Sequence, residues 1–119
     1  MSLQTDPRFR QAVDLFNQRA WYEAHDAFEE LWHETTGPER RILQGILQIA
    51  VAHLHLERGN CRGATMLLGE GVGRLSAAES GDLGLNLPLL RHQAQRRLAA
   101  LQQQSDPHQL PVPELSVES

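Results

Sequence analysis

The chain has 119 residues, of which 11 are basic and 15 acidic, giving a formal net charge of −4. This length suits one domain with one hydrophobic core, and the acidic balance argues against nucleic-acid binding, which needs a basic face. All basic residues are arginine, so a Schiff-base lysine and a P-loop lysine are excluded.

The first three predicted helices follow from their start and stop signals. Asp6 is a suitable N-cap, and Pro7 suits the first turn of a helix. The second helix is predicted from about residue 21 to residue 34, because the Thr-Gly-Pro sequence at 36–38 ends it and begins the third. The third helix, about residues 38–57, is apolar around most of its circumference, which indicates a central position.

Two further helices and a tail are predicted after this. Gly59 and Asn60 end the third helix and cap the fourth, whose glycines at 69, 71 and 73 predict the close approach of a neighbouring helix. Residues 80–87 form a loop, and the fifth helix spans about residues 88–104. Residues 106–119 contain three prolines and few apolar side chains, which predicts a disordered tail that folding does not require.

These elements predict an all-α fold: a compact orthogonal bundle of about five helices, built from helical hairpins in a single domain at residues 1–105. Cys61 has no internal disulfide partner, which favours a cytoplasmic location. The first residues lack the basic and apolar segments of a signal peptide. No apolar run approaches the roughly 20 residues of a membrane helix, so no membrane association is expected.

The richest candidate site lies on the second helix. His25 and Glu29 are neighbours at spacing i, i+4, and Trp32 lies beside His25 on the helical wheel. This spacing suits two ligands of a metal, with His55 or His53 of the third helix as the third ligand. The alternative is structural: a boundary histidine that is hydrogen-bonded to a carboxylate and shielded by tryptophan.

The third helix carries a polar stripe that contains Arg41, Gln44, Gln48 and His55. Two interpretations stay open. The stripe is the solvent face of an amphipathic helix, or Gln44 and Gln48 face the second helix as a buried polar seam in which each amide must be satisfied. His53 lies in the middle of the apolar sector and is predicted to be a packed, neutral core histidine.

A wider set of residues forms a recognisable pattern of spacings: Tyr22, His25, Asp26, Phe28, Glu29, Leu31, Trp32, Gly37, Arg40, Gln44, Gly45, Gln48, Gly59, Asn60, Gly63 and Ala64. The pattern resembles the prokaryotic family labelled domain of unknown function 309, over roughly residues 9–75. The resemblance implies a small, all-helical, intracellular protein without an established activity, and it brings no catalytic residue. His25-Asp26 stands where the family commonly has His-Glu, and this aspartate is one methylene shorter.

The sequence contains no complete catalytic constellation, so we predict a non-enzymatic helical module for protein association, with a partner protein or with another copy of the chain. The carboxylates between residues 23 and 34 form a solvated face, or they meet the arginines of the last helix or a partner. The competing hypothesis is a small metal- or ligand-binding protein that uses His25, Glu29 and His55. No cofactor is predicted, and the candidate site residues are His25, Asp26, Glu29, Trp32, Arg40, Gln44, Gln48 and His55.

Overall fold

A computed structural model describes residues 2–118, and the all-α fold predicted from the sequence is confirmed. Its five α-helices are α1 (Pro7–Asn17), α2 (Trp21–Glu34), α3 (Pro38–Glu57), α4 (Cys61–Arg74) and α5 (Leu87–Gln102). Short 3₁₀ turns occur at Leu3–Thr5, Asp82–Gly84 and Pro107–Gln109. Each helix packs against the next one in the chain, so the bundle is a succession of helical hairpins.

Local capping explains where the helices begin. The Asp6 carboxylate accepts a hydrogen bond of 2.9 Å from the Arg8 backbone N–H, and Pro7 occupies the first turn of α1. Asn60 accepts a hydrogen bond of 2.9 Å from the backbone N–H of Gly63 at the start of α4. Both caps are the ones that the sequence predicts. Gly37, with φ of 75°, makes the turn between α2 and α3.

Helix α3 lies at the centre of the bundle, packed between α2 and α4, as its nearly continuous apolar surface predicts. All helices contribute to one core. Its largest fully buried side chains are Phe16, Phe28, Leu31, Leu43, Ile46, Ile49, Leu68, Leu75, Leu85, Leu87, Leu90 and Leu115. In residues 2–118, no helix is both long and apolar enough to cross a membrane.

The glycines of α4 have different surroundings. A Cβ atom on Gly71 would lie 2.9 Å from Ile49 Cγ1 and 3.0 Å from the carbonyl oxygen of Gly45, so here the backbones of α3 and α4 approach closely. At Gly69 and Gly73 a Cβ atom would meet nothing within 4 Å. The predicted close approach therefore holds for Gly71, and helix packing gives no reason for the other two.

The segment predicted to be a disordered tail packs against the helices, which corrects that expectation. Leu115 is 1% exposed. The Asn17 side chain donates to the Leu115 carbonyl at 2.9 Å and accepts from the Leu115 N–H at 2.8 Å. Prolines exclude a long α-helix in this segment, but they permit an extended chain whose backbone groups bond to side chains of the bundle. The ordered structure therefore continues past residue 105.

Candidate functional site

The predicted neighbours on α2 lie side by side. His25 Nε2 is 2.8 Å from Glu29 Oε2, and His25 Nδ1 is 3.4 Å from Asp26 Oδ1. His33 lies one helical turn after Glu29, and its Nε2 is 3.6 Å from the other carboxylate oxygen of Glu29. The side chains of His25 and Glu29 are 25% and 44% exposed, so the pair lies at the boundary of the core and water screens its electrostatics.

Trp32 lies under Arg40. The Arg40 guanidinium carbon is 3.9 Å from the Trp32 ring centroid, because the turn at Gly37 brings the first turn of α3 over the last turn of α2. The indole N–H of Trp32 is shielded from solvent and has no hydrogen-bond acceptor among the described residues. An exposed cation–π contact of this kind is worth about 0.5–1 kcal/mol.

A shallow cavity of about 260 Å³ lies between α2 and α3, beside the Trp32 ring. Glu29, Trp32, Gln44 and Leu47 line it. Together with Arg40, these residues form a continuous surface that we call the Trp32 face. Beside the Arg40 guanidinium, it combines a carboxylate, an amide, an aromatic ring and an aliphatic side chain. Once Arg40 is displaced, these groups can hold a side chain of mixed apolar and cationic character.

Gln48 does not share this surface. Its Nε2 donates to Glu70 at 2.9 Å and its Oε1 accepts from Arg74 Nε at 2.9 Å, so its partners are on α4. Gln48 is buried and satisfied, as a polar seam requires, but the predicted seam between Gln48 and α2 does not form. The sequence placed Gln48 on a polar stripe of α3, but the stripe alone did not indicate that α4 provides its partners.

The structure does not bring His55 together with His25 and Glu29 as a set of three metal ligands. His55 Nδ1 is 3.3 Å from Asn60 Nδ2, at the carboxyl end of α3. Within the described part of the chain, no three His, Cys, Asp or Glu side chains form a group that could hold a metal ion. His25 and Glu29 therefore meet without His55.

Arg8 of α1 pairs with the acidic face of α2. Its Nη1 lies 2.6 Å from Glu34 and 3.1 Å from Glu30, and its Nη2 bonds to Asp6 at 2.8 Å. These hydrogen bonds lower the pKa of Glu34 and of Asp6 below their ordinary values. Two carboxylates of α2, Glu30 and Glu34, therefore meet an arginine of the first helix. Arg91 of α5 instead donates to the carbonyls of Leu75 and Ser76.

A second polar site surrounds His53, which is 3% exposed. Its Nδ1 is 2.8 Å from the Ile49 carbonyl oxygen, and its ring centroid is 4.8 Å from that of Trp21. Burial lowers the pKa of His53 from 6.5 to about 4, so the ring is neutral at physiological pH, as the sequence predicts. Arg97, also 3% exposed, was not foreseen. The sequence feature that could have indicated its burial is its position on the apolar stripe of α5, three residues after Ala94 and seven after Leu90.

Comparison with known proteins identifies similar sequences without a known activity. A family model described as "Domain of unknown function (DUF309)" matches residues 9–67. The uncharacterized protein YpuF of Bacillus subtilis is 35% identical over 77 residues, which cover 62% of this chain and 44% of YpuF. The chain therefore spans less than half the length of that relative.

Proposed function

We propose that this chain, which belongs to the family named domain of unknown function 309, is a non-enzymatic cytoplasmic module for protein association, and that the Trp32 face is its docking surface. One observation carries the proposal. The indole of Trp32 lies beneath the exposed side chain of Arg40, and its N–H has no acceptor within residues 2–118.

Binding a partner backbone there satisfies this N–H. A shielded donor without an acceptor costs about 1–3 kcal/mol, and a partner carbonyl oxygen recovers that energy. The Arg40 stack is worth only about 0.5–1 kcal/mol, so a partner can displace it. Tryptophan is also among the residues that most often dominate the energy of protein interfaces.

The rest of the Trp32 face selects the partner's side chain. Glu29 is half-exposed, and Gln44 and Leu47 line the same cavity of about 260 Å³. A lysine or arginine of the partner fits this combination, because its aliphatic stem packs on Leu47 and its charge meets Glu29. The net charge of −4 favours encounter with a basic segment.

The test begins with affinity capture from native extract and continues with the identified partner in purified form. We expect Trp32→Ala to weaken binding by at least about 2 kcal/mol, roughly 30-fold. Glu29→Gln should weaken binding and reduce its salt dependence. Arg40→Ala should preserve the affinity or raise it a few-fold, because the stacked side chain no longer has to be displaced.

Tyr22→Ala is the matched control. Tyr22 is an aromatic residue of α2 that is 55% exposed, and it does not line the cavity of the Trp32 face. Its replacement should leave the affinity unchanged. A partner that binds the Trp32→Ala variant as tightly as it binds the wild type contradicts the proposed docking surface. A chain that retains no partner under any condition contradicts the association function itself.

A further inference from the structure

The carboxyl-terminal segment, residues 106–118, is held to the helices mainly through its backbone. The Asn17 side chain, at the end of α1, donates to the Leu115 carbonyl at 2.9 Å and accepts from the Leu115 N–H at 2.8 Å. Gln93 of α5 accepts a hydrogen bond of 3.0 Å from the backbone N–H of Glu114. Every residue except proline has both backbone groups, so such contacts recognise an extended chain rather than particular side chains.

The same pattern continues towards both ends of the segment. Arg97 of α5, which is 3% exposed, donates to the carbonyl oxygens of Leu110 at 2.9 Å and Pro111 at 3.2 Å. Beyond Leu115, the segment forms two backbone hydrogen bonds of 2.8 Å with the loop at residues 84–86, as neighbouring antiparallel strands do. We call the surface that makes these contacts the peptide groove, and its members are Asn17, Gln93, Arg97 and residues 84–86.

Two apolar side chains of the segment are buried beside these backbone contacts. Pro113 is buried, and Leu115 is 1% exposed. They are two positions apart, which is the spacing that places side chains on one face of an extended chain. Between and after them, Glu114 and Val117 are exposed. The peptide groove therefore fits an extended peptide with proline and leucine two positions apart.

The joint between α5 and the segment, residues 103–105, adopts a turn that its sequence does not favour. The sequence predicts helix to about residue 104, but α5 ends at Gln102. Gln104 has φ of 58°, a left-handed conformation that is unfavourable for residues other than glycine. Glutamine is a good helix former, and Pro107 is the first residue after α5 that breaks a helix. The turn at Gln104 is therefore imposed by the docked segment rather than by the local sequence.

The joint is also loosely packed against α5. A cavity of about 320 Å³ lies there, lined by residues that include Ala99, Gln103, Ser105 and Leu110. When the segment leaves the peptide groove, Gln104 can take the right-handed conformation, and α5 can extend through Ser105. This extension recovers part of the free energy that undocking costs, because it relieves the left-handed turn.

We propose that two copies of this chain exchange their carboxyl-terminal segments, so that the segment of each copy occupies the peptide groove of the other. The segment keeps all its contacts in such a dimer, and only the two joints change conformation. A second copy is the occupant that matches the groove, because it presents the same buried proline and leucine in the same backbone register. The exchange is separate from the Trp32 face, which lies between α2 and α3.

The concentration at which exchange occurs follows from the length of the joint. A short flexible link holds a segment at an effective concentration on the order of 1 mM for its own groove, so a second copy competes near that concentration. The relief of two left-handed turns per dimer lowers the threshold further. We therefore expect a monomer–dimer equilibrium of the full chain with a dissociation constant below about 1 mM, measured by sedimentation equilibrium.

Gln104→Gly tests the joint. Glycine adopts the left-handed turn without a steric cost and disfavours the extended helix, so it stabilises the closed monomer at both joints of each pair. The dimer dissociation constant should rise at least tenfold. Arg19→Gly is the matched control, because Arg19 has a similar φ of 63° in the turn after α1, and this turn is the same in the monomer and in the dimer. It should leave the dissociation constant unchanged.

Leu115→Asp tests the segment, because a carboxylate at this buried position prevents docking in either groove. The variant should be monomeric, and its helical circular dichroism shows whether the body remains folded. A synthetic peptide of residues 106–118 should bind to the vacant groove of this variant. The peptide should bind at least tenfold more weakly when Asn17→Ala is added, because both hydrogen bonds to the backbone of the peptide leucine are lost.

Three results overturn the exchange: the wild type is a monomer at about 1 mM, Gln104→Gly dimerises as tightly as the wild type, or Leu115→Asp still forms the dimer. The last of these shows association through another surface. A peptide that binds while the wild type stays monomeric shows that the groove accepts a segment of another protein instead of a second copy. If Leu115→Asp does not fold, the comparison of Gln104→Gly with Arg19→Gly still decides the proposal.

Discussion

Leu115→Ala tests whether the carboxyl-terminal segment contributes to the stability of the bundle. Leu115 is 1% exposed in the core, and its backbone N–H and carbonyl are both bonded to Asn17. Removing a buried leucine side chain costs about 2–5 kcal/mol in well-packed cores. The loss cannot exceed the free energy with which the segment docks, because the segment can detach while the helices remain folded. We therefore expect a loss of about 2–3 kcal/mol.

The assay is urea denaturation followed by circular dichroism, with the change in free energy of unfolding taken from the midpoint at constant slope. Val117→Ala is the matched control, because Val117 belongs to the same segment and is 56% exposed. It should change the stability by less than about 0.5 kcal/mol. If Leu115→Ala costs no more than Val117→Ala, the segment does not dock and the reasoning is refuted.

Three further predictions concern glycine packing, pH and the α2 histidine. Gly71→Ala should destabilise the protein by about 1–3 kcal/mol, because its Cβ would lie 2.9 Å from the α3 side chain that it faces. Gly69→Ala should stabilise the protein by roughly 0.5–1 kcal/mol, because its Cβ would meet nothing within 4 Å. Urea denaturation of both variants checks that the two changes have opposite signs. His53 is protonated in the unfolded chain below pH 6.5, but in the folded protein only near pH 4, so between these values the unfolded state binds more protons. The free energy of unfolding should therefore fall by about 3 kcal/mol as the pH drops from 6.5 to 4. A His53→Phe variant that keeps this pH dependence contradicts the assignment of the effect to His53. His25→Ala should lower the free energy of unfolding by less than about 1 kcal/mol in the same assay, because its partner Glu29 is 44% exposed and water can hydrate it in the variant. A loss above about 2 kcal/mol would instead require a buried partner of His25.

Local signals were sufficient for the helices. Pro38 and the preceding Gly37 fix the boundary between α2 and α3 through backbone conformation alone, and both helices have their predicted bounds. The apolar circumference of α3 likewise predicted its central position. These features depend on a few adjacent residues, so no knowledge of the tertiary structure was needed.

The carboxyl-terminal segment could not be predicted in this way. Its order depends on Asn17, which is far from it in sequence, and on Arg97, whose guanidinium bonds to two of its carbonyls. Buried arginines are rare, so sequence reasoning assigns a residue such as Arg97 to the surface unless its place on an apolar stripe is given more weight.

The candidate site was predictable only where it lies on one helix. The contact of His25 with Glu29 follows from spacing i, i+4. The stacking of Arg40 on Trp32 joins two helices, and so does the pairing of Gln48 with Glu70. Contacts between helices depend on the rotation of each helix about its axis relative to its neighbours, and one sequence does not determine that rotation to the precision of a side chain.

The most direct test of the proposed docking surface uses the two tryptophans of the chain, which lie at opposite ends of α2, about 16 Å apart. Each gives one indole N–H resonance in a ¹H–¹⁵N spectrum. When the purified partner is added, the Trp32 N–H should gain an acceptor, so its resonance should move downfield and its hydrogen exchange should slow, while the Trp21 resonance stays in place. A bound partner that leaves the Trp32 resonance unmoved contradicts the proposal.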